Sequence, residues 1–410
     1  MSFWEVGFGY PCKVYIMEGA LLSGIKAIAK KSIVAADDVI DDMKVRHLRK
    51  GEFRKYNSPK RKAIYETVTL TDSQKNAIDE LFESSYGEKV PYVWHRHFTA
   101  FTGRFDEKYI PELLFIPEFE HFMNFNRPYI EAFADKNVTP MIAKWGGILS
   151  PNVFLSCTEG IATDGSHLLS GAEVKDLLSD IGEAFIKPSV NTGSGKECSV
   201  VDIRNGVDSV SGESVDDLLK RIGNNYVVQE RLICHPSIQK IHPQSVNTFR
   251  VITYRWKDRI YTMPAIMRIG RGNSTIDNAH AGGMFIAVND DGTLHKTAFT
   301  EFRDTFEVHP DTKLTFDGYK IENFDKVLAA AVHLHSLAPQ LGVYNWDFTI
   351  NSDGAPVLIE ANTEGGSIWM AQMSHGCGVF GDLTPEILSW IGKMKRIKQS
   401  KRKEWAFGNG

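Results

Sequence analysis

Apolar positions change their spacing along this chain. Up to about residue 125 the spacing is helical or irregular. Thr71–Phe82 carries apolar residues three and four apart behind a Thr-Asp start, which predicts a capped helix. Trp94-His95-Arg96-His97 reads as a strand with two histidines on one face. From about residue 183 short apolar runs take over. Ala184-Phe185-Ile186 and Cys198-Ser199-Val200-Val201 flank a glycine-rich loop, and Tyr226-Val227-Val228 follows a helix predicted to end near Gly223. Phe249–Trp256 and Arg259–Ile269 read as two longer strands joined by Lys257-Asp258. Phe324–Leu341 predicts an amphipathic helix. Tyr344–Ile350 and Pro356–Ala361 then predict a hairpin around Asn351-Ser352-Asp353-Gly354. Such a mixture predicts an α+β fold with largely antiparallel sheets.

Length and composition narrow the class. The 410 residues suggest two or three domains. A chain 42% hydrophobic and 24% charged has a core to bury, which excludes a disordered chain. No run approaches about 18 apolar residues, so no membrane span is expected. The net charge of −4 gives no global footprint for nucleic acid. Five scattered cysteines form neither a CxxC pair nor a disulfide framework. With no secretory signal in view, they favour a reducing cytoplasm. Two basic runs stand out. Lys44–Lys62 reads as a solvated helix and loop, or as a contact for an anionic substrate or lipid head group. Lys393–Lys403 reads as a solvated helix end that could instead rest weakly on an anionic membrane.

Five segments carry candidate chemistry. In Phe185-Ile186-Lys187-Pro188 a strand ends in a lysine before a loop holding Gly193, Ser194 and Gly195. Backbone N–H groups and a point charge there suit an anion, although a plain hairpin has the same composition. Asp347 and Glu360 lie on the two arms of the predicted hairpin, with Asn362 on the same face as Glu360. Three hard oxygen ligands among apolar neighbours suit Mg²⁺ held jointly with phosphates. Gln229-Glu230-Arg231-Leu232 reads as a strand end, or as a hinge whose backbone bonds an adenine edge. Arg250 interrupts an apolar strand and needs an anion, from the protein or from a ligand. Asp277–Phe285, with His280 in it, is a plain connection, a flexible lid or a substrate loop. A zinc site at His95 and His97 lacks further ligands, and His333 and His335 are two apart on a helix and do not face each other.

In this order the segments resemble the ATP-grasp superfamily: strand with Lys-Pro, glycine loop, hinge, arginine strand, Asp and Glu-x-Asn. The thirteen residues from Asp347 to Glu360 match the D-alanine–D-alanine ligase branch. Ser245-Val246-Asn247-Thr248-Phe249-Arg250 and the glycine segment 277–288 resemble most closely the sugar-transfer-associated ATP-grasp family. The resemblance spans about residues 95–390. It implies two α+β subdomains that clamp ATP between antiparallel sheets, at 126–232 and 233–395. A helical substrate-contact region at 1–125 and a basic tail at 396–410 flank them.

The resemblance also implies roles. Lys187 resembles the lysine on the α- and β-phosphates, and Lys136, after Asp135, the first ATP lysine, with Lys144 as its competitor. Gly193, Ser194 and Gly195 match the mobile phosphate loop, and Gln229, Glu230 and Leu232 the adenine hinge. Asp347, Glu360 and Asn362 match the ligands of two Mg²⁺ ions. Asn247, His280, Thr363, Glu364 and Gly365 fall where substrate contacts are expected. Asn345 stands where the ligase branch has an arginine two residues before the metal aspartate, and Arg250 would take over that work. The implied reaction makes an amide from a carboxylate and an amine through an acyl phosphate, in surface-polysaccharide or specialised-metabolite biosynthesis. A small-molecule kinase and a non-catalytic nucleotide-binding module remain open, as does a homodimer.

Overall fold

The computed structural model describes residues 12–190, 197–279 and 282–408, side chains of 12–29 excepted. Two antiparallel sheets face each other across a cleft. The smaller has seven strands: β1 (Val153–Thr158), β2 (Ile161–Thr163), β3 (Leu168–Leu169), β4 (Gly182–Pro188), β5 (Ser199–Arg204), β6 (Val207–Asp208) and β7 (Tyr226–Glu230). Their spatial order is β3-β2-β1-β7-β4-β5-β6. Alternation divides the faces. Ala184, Ile186, Val201 and Val228 turn into a core with the helices Gly171–Ser179 and Val215–Ile222, while Phe185, Lys187, Val200 and Gln229 turn to the cleft. Both helices start on a serine cap: Ser170 with Glu173 in a capping box, and Ser214 accepting from the Asp217 N–H.

The larger sheet has eight strands: β8 (Thr248–Trp256), β9 (Arg259–Thr262), β10 (Ile266–Ile269), β11 (Met284–Ala287), β12 (Ala298–Phe299), β13 (Thr305–Phe306), β14 (Val343–Ile350) and β15 (Pro356–Asn362). They run β13-β12-β11-β10-β8-β14-β15, with β9 also on β8. Phe249, Val251, Trp346 and Phe348 pack beneath the sheet against the helix Phe324–Leu337. That helix is shorter than its pattern suggests because Pro339 follows its end. The run Arg259–Ile269 is likewise broken: Pro264 has no N–H to donate, so β9 and β10 pair with β8 on either side of it.

Helices from both ends of the chain cover the rest of the larger sheet's cleft-side face. A single core joins Trp94, Phe98, Phe115 and Phe119 to Ile252, Tyr254 and Phe285 of the sheet and to Trp390 of the C-terminal helix Thr384–Arg396. Trp94–His97 lies in the helix Val93–Thr102 and is not a strand. His95 and His97, two apart on a helix, therefore point different ways. Burial keeps both neutral, with pKa values lowered to about 4 and about 3.

The N-terminal region is tied to the strands that flank the cleft. Asn124 donates to the Val343 and Thr363 carbonyls and accepts from the Gly342 and Val343 N–H groups, all within 2.8–2.9 Å. Glu120 ends the π-helix Phe115–Glu120 and accepts from the Gly365 and Gly366 N–H groups at 2.8 and 2.9 Å. Glu112 accepts from the Ile368 N–H at 3.1 Å. The basic runs are largely engaged within the chain. Arg49 pairs with Glu118, Arg61 with Glu301 and Lys44 with Glu364, while in the tail Lys395 pairs with Glu88 and the buried Arg402 with Asp41. Cys157, Cys198, Cys234 and Cys377 are free thiols. Among the described residues no helix is long and apolar enough to cross a membrane.

Burial raises the Glu112 carboxyl to about 8, helped by the nearby Glu52. A carboxyl whose pKa is raised on folding stabilises the folded state fully below the unfolded value near 4.5, and that stability is lost as the pH rises through about 8. The melting temperature should therefore fall between pH 5 and 8. Glu112→Gln, which keeps a neutral side chain of the same size, should flatten that fall. Equal slopes for both proteins in calorimetric scans across that range would refute the assignment.

Candidate active site

A cavity of about 460 Å³ lies between the two sheets. Its floor is the register of β8, β14 and β15. Arg250 is paired with Asp347, and Asp347 with Glu360, so the three side chains stand in a row across the strands. Plain alternation would send Leu358 to the same face as Glu360. A bulge prevents this: Phe348 pairs with Leu358 and Asp347 with Glu360, leaving Ile359 as the extra residue. Leu358 stays in the core while Ile359, Glu360 and Asn362 reach the cavity.

Asp347 is 2% exposed and is held by two arginines. Arg250 donates from Nε and Nη2 to its two oxygens at 2.5 and 2.9 Å, and Arg268 Nη2 adds a bond of 2.9 Å. Burial pushes this carboxyl up, but the two guanidinium groups outweigh it and hold the pKa below the usual range. Arg268 also donates to Thr248 Oγ1, which donates in turn to Asp277 at 2.5 Å. On the other flank, Lys136 Nζ lies 3.2 Å from Glu360, and its backbone N–H donates to the Ser189 carbonyl.

Lys187 differs from these groups. It is 6% exposed, and no carboxylate stands within ion-pair distance of it among the described residues. Burial lowers its pKa, opposed by the charge of Glu360. Around Asp347 and Glu360 the cavity thus gathers four cations (Lys136, Lys187, Arg250, Arg268) against three carboxylates (Asp277, Asp347, Glu360). With Glu183, Glu230 and Arg231 the whole lining holds five charges of each sign, so the excess of one cation is local to this end.

The other expected residues divide. Gln229, Glu230 and Leu232 line the cavity, and the Glu230 carboxylate grips the backbone and side-chain amides of Asn152 at 2.9 Å. Lys136 reaches the cavity, whereas Lys144 is exposed elsewhere. Asn247 does not reach it. Its side chain is fully buried between the His242 carbonyl, the Gly270 N–H and Ser245. Thr363, Glu364 and Gly365 do not line it either, since Thr363 donates to the Ile130 carbonyl, Glu364 pairs with Lys44, and Gly365 is held by Glu120. Gly193, Ser194, Gly195 and His280 lie outside the described residues. Arg268 and Thr248 escaped notice in the sequence, although Arg268 interrupts an apolar run just as Arg250 does.

Asp347, Glu360 and Asn362 fit a magnesium site in donor chemistry. All three offer hard oxygens, and the buried Asn362 amide nitrogen has no partner that would fix its orientation. Among the described residues no set of three His, Cys, Asp or Glu side chains could hold a metal, so the asparagine is needed as the third donor.

The family described as sugar-transfer associated ATP-grasp matches residues 115–385, and the chain belongs to it. No curated protein is similar to the chain in sequence. Solved structures that match it include a carboxyaminoimidazole ribonucleotide synthase from Aspergillus clavatus complexed with ATP. The identity is 10%, over 60% of this chain and 50% of that one, with a TM-score of 0.34. A D-alanine–D-alanine ligase from Bacillus anthracis matches at 14% identity over 67% and 69%, with a TM-score of 0.36. A D-Ala:D-Ser ligase from Enterococcus faecalis matches at 14% over 64% and 62%, with a TM-score of 0.38. The chain spans about half the length of the first of these structures.

Removing one partner of a buried ion pair strands the other, at a cost of roughly 3–5 kcal/mol. Arg268→Ala should cost about that much in chemical denaturation, because it takes the paired cation from Asp277 and one of the three arginine bonds from Asp347. Arg250→Ala should cost less, since Arg268 still holds Asp347. The reverse order would show that Arg250 is the main structural partner.

Proposed function

We propose that this sugar-transfer-associated ATP-grasp protein binds ATP in the cleft and joins a carboxylate to an amine, in surface-polysaccharide or specialised-metabolite biosynthesis. The observation that carries the proposal is Lys187, a buried cation with no carboxylate in ion-pair distance among the described residues, at the end of β4 where the cavity has a local excess of one cation. A phosphate chain supplies the missing anion. Lys187 and Lys136 would hold the α- and β-phosphates while the hinge 229–232 takes the adenine edge. Mg²⁺ held by Asp347, Glu360 and Asn362 would add neutralising charge on the phosphates.

The substrate carboxylate oxygen attacks the γ-phosphorus, the bond to the β-phosphate bridging oxygen breaks, and ADP and an acyl phosphate result. The amine nitrogen then attacks the acyl carbon, phosphate leaves, and the amine proton passes to solvent. Such transfer asks chiefly for alignment and charge neutralisation. Arg250 would take the second task. Its guanidinium, turning from Asp347 to the transferring group, would free that carboxylate for the metal and meet the developing negative charge. Arg268 would stay on Asp347 and Thr248 and keep the floor in register.

A phosphate-release screen of carboxylates against amines, with mass spectrometry of the products, tests the reaction. Phosphate release that needs both partners is expected. A stable phosphorylated product from one partner alone would make the protein a kinase, and no turnover with any pair would favour a binding module. Lys187→Ala should weaken ATP by roughly ten- to a hundred-fold, the worth of one charge-assisted hydrogen bond, and leave adenosine nearly unchanged. Equal loss of both ligands in calorimetric titration would remove Lys187 from the phosphate site.

A further inference from the structure

The helix Cys12–Tyr56 is 45 residues long, and among its described side chains those that hold it to the body lie along one face. That face carries its buried acids: Asp38 accepts from the Ser400 N–H, Asp41 pairs with His121 and Arg402, and Glu52 is buried lower down. At a helical repeat of 100° per residue the opposite face holds Ile33, Val39, Ile40 and Met43, which are 58–64% exposed. The same face continues into exposed Arg46, His47, Lys50 and Arg54. It then opens on a groove that Lys50 and Arg54 share with the half-exposed Phe53. The exposed acids Asp37 and Asp42 fall on the two flanks, off the stripe.

We propose that this outward face lies on an anionic phospholipid bilayer, with Ile33–Met43 entering the interface and Arg46, Lys50 and Arg54 meeting head-group phosphates. Apolar residues and cations on one helix face, with the acids turned away, match the charge and polarity of such a surface. The sequence of the preceding turns, residues 12–29, adds only Lys13, Glu18 and Lys26 as charged residues. A second copy of the chain fits the face less well. Ile33, Ala36, Ile40 and Met43 follow coiled-coil spacing, but the same seam continues as His47, Lys50 and Arg54. A parallel pair would stack like charges there, an antiparallel pair would set cations on apolar residues, and a stable seam needs at least three or four apolar heptads.

Flotation of the full chain with vesicles tests the inference. Strong binding is expected to equal parts phosphatidylcholine and phosphatidylglycerol at low salt, and little to phosphatidylcholine alone. Ile40→Asp with Met43→Asp, and separately Lys50→Glu with Arg54→Glu, should each lower binding at least about ten-fold without changing the melting temperature. No flotation of the unaltered protein would overturn the proposal. So would flotation that neither variant weakens. A concentration-dependent dimer that both variants dissolve, seen by light scattering in the absence of vesicles, would make the face a contact between copies instead. Each readout is independent of nucleotide turnover.

Discussion

The cleft depends on one carboxylate. Asp347 is buried in the middle of the larger sheet, where an unpaired charge would be costly, and two arginines, one from the neighbouring strand and one from the strand beyond it, make it tolerable. The arrangement aligns four strands at once. Arg250 reaches it from β8 and Arg268 from β10, and Glu360 stands beside it on β15, itself compensated by Lys136 from the other wall. Among the described residues most charges around Asp347 and Glu360 are therefore answered by others, and that of Lys187 is not. A floor of this kind is held in register before a ligand arrives.

The N-terminal helices belong to the same machine. They cover the larger sheet beside the cleft, and three buried polar side chains fasten them to it. Asn124 bonds to both Val343 and Thr363, so it links the starting end of the aspartate strand to the finishing end of the glutamate strand. Glu112 and Glu120 hold the turn that leaves Asn362. Thr363 and Gly365, expected near substrate, take part in this fastening through their backbone. The backbone behind the three oxygen donors is thus positioned from the N-terminal region, which shares one apolar core with the C-terminal helix.

The basic runs show how charge in a sequence can be spent in different ways. Arg49, Arg61 and Arg402 disappear into intrachain pairs, and Lys393 lies over the Trp405 ring. Arg46, Lys50 and Arg54, which remain exposed on the long helix, share a face with apolar residues.

Much was legible in the residues themselves. The hairpin of β14 and β15 followed from two apolar runs around an Asn-Ser-Asp-Gly turn, the helix Asp72–Ser85 from its Thr71 cap, and β4 and β5 from their flanking of a glycine loop. These signals are local, since spacing, caps and turns act within a few residues. The order of Lys187, the hinge, Arg250, Asp347 and Glu360 also identified the family, because order is a property of sequence. Other features needed the tertiary structure. Trp94–His97 alternates like a strand but is a helix, because its aromatic neighbours bury it on nearly all sides and erase the periodic signal. The bulge at Ile359, the second arginine on Asp347 and the missing partner of Lys187 are facts about register between strands far apart in the chain. No single stretch of residues encodes them. They arise only when distant strands are set side by side, and there the balance of buried charge is decided.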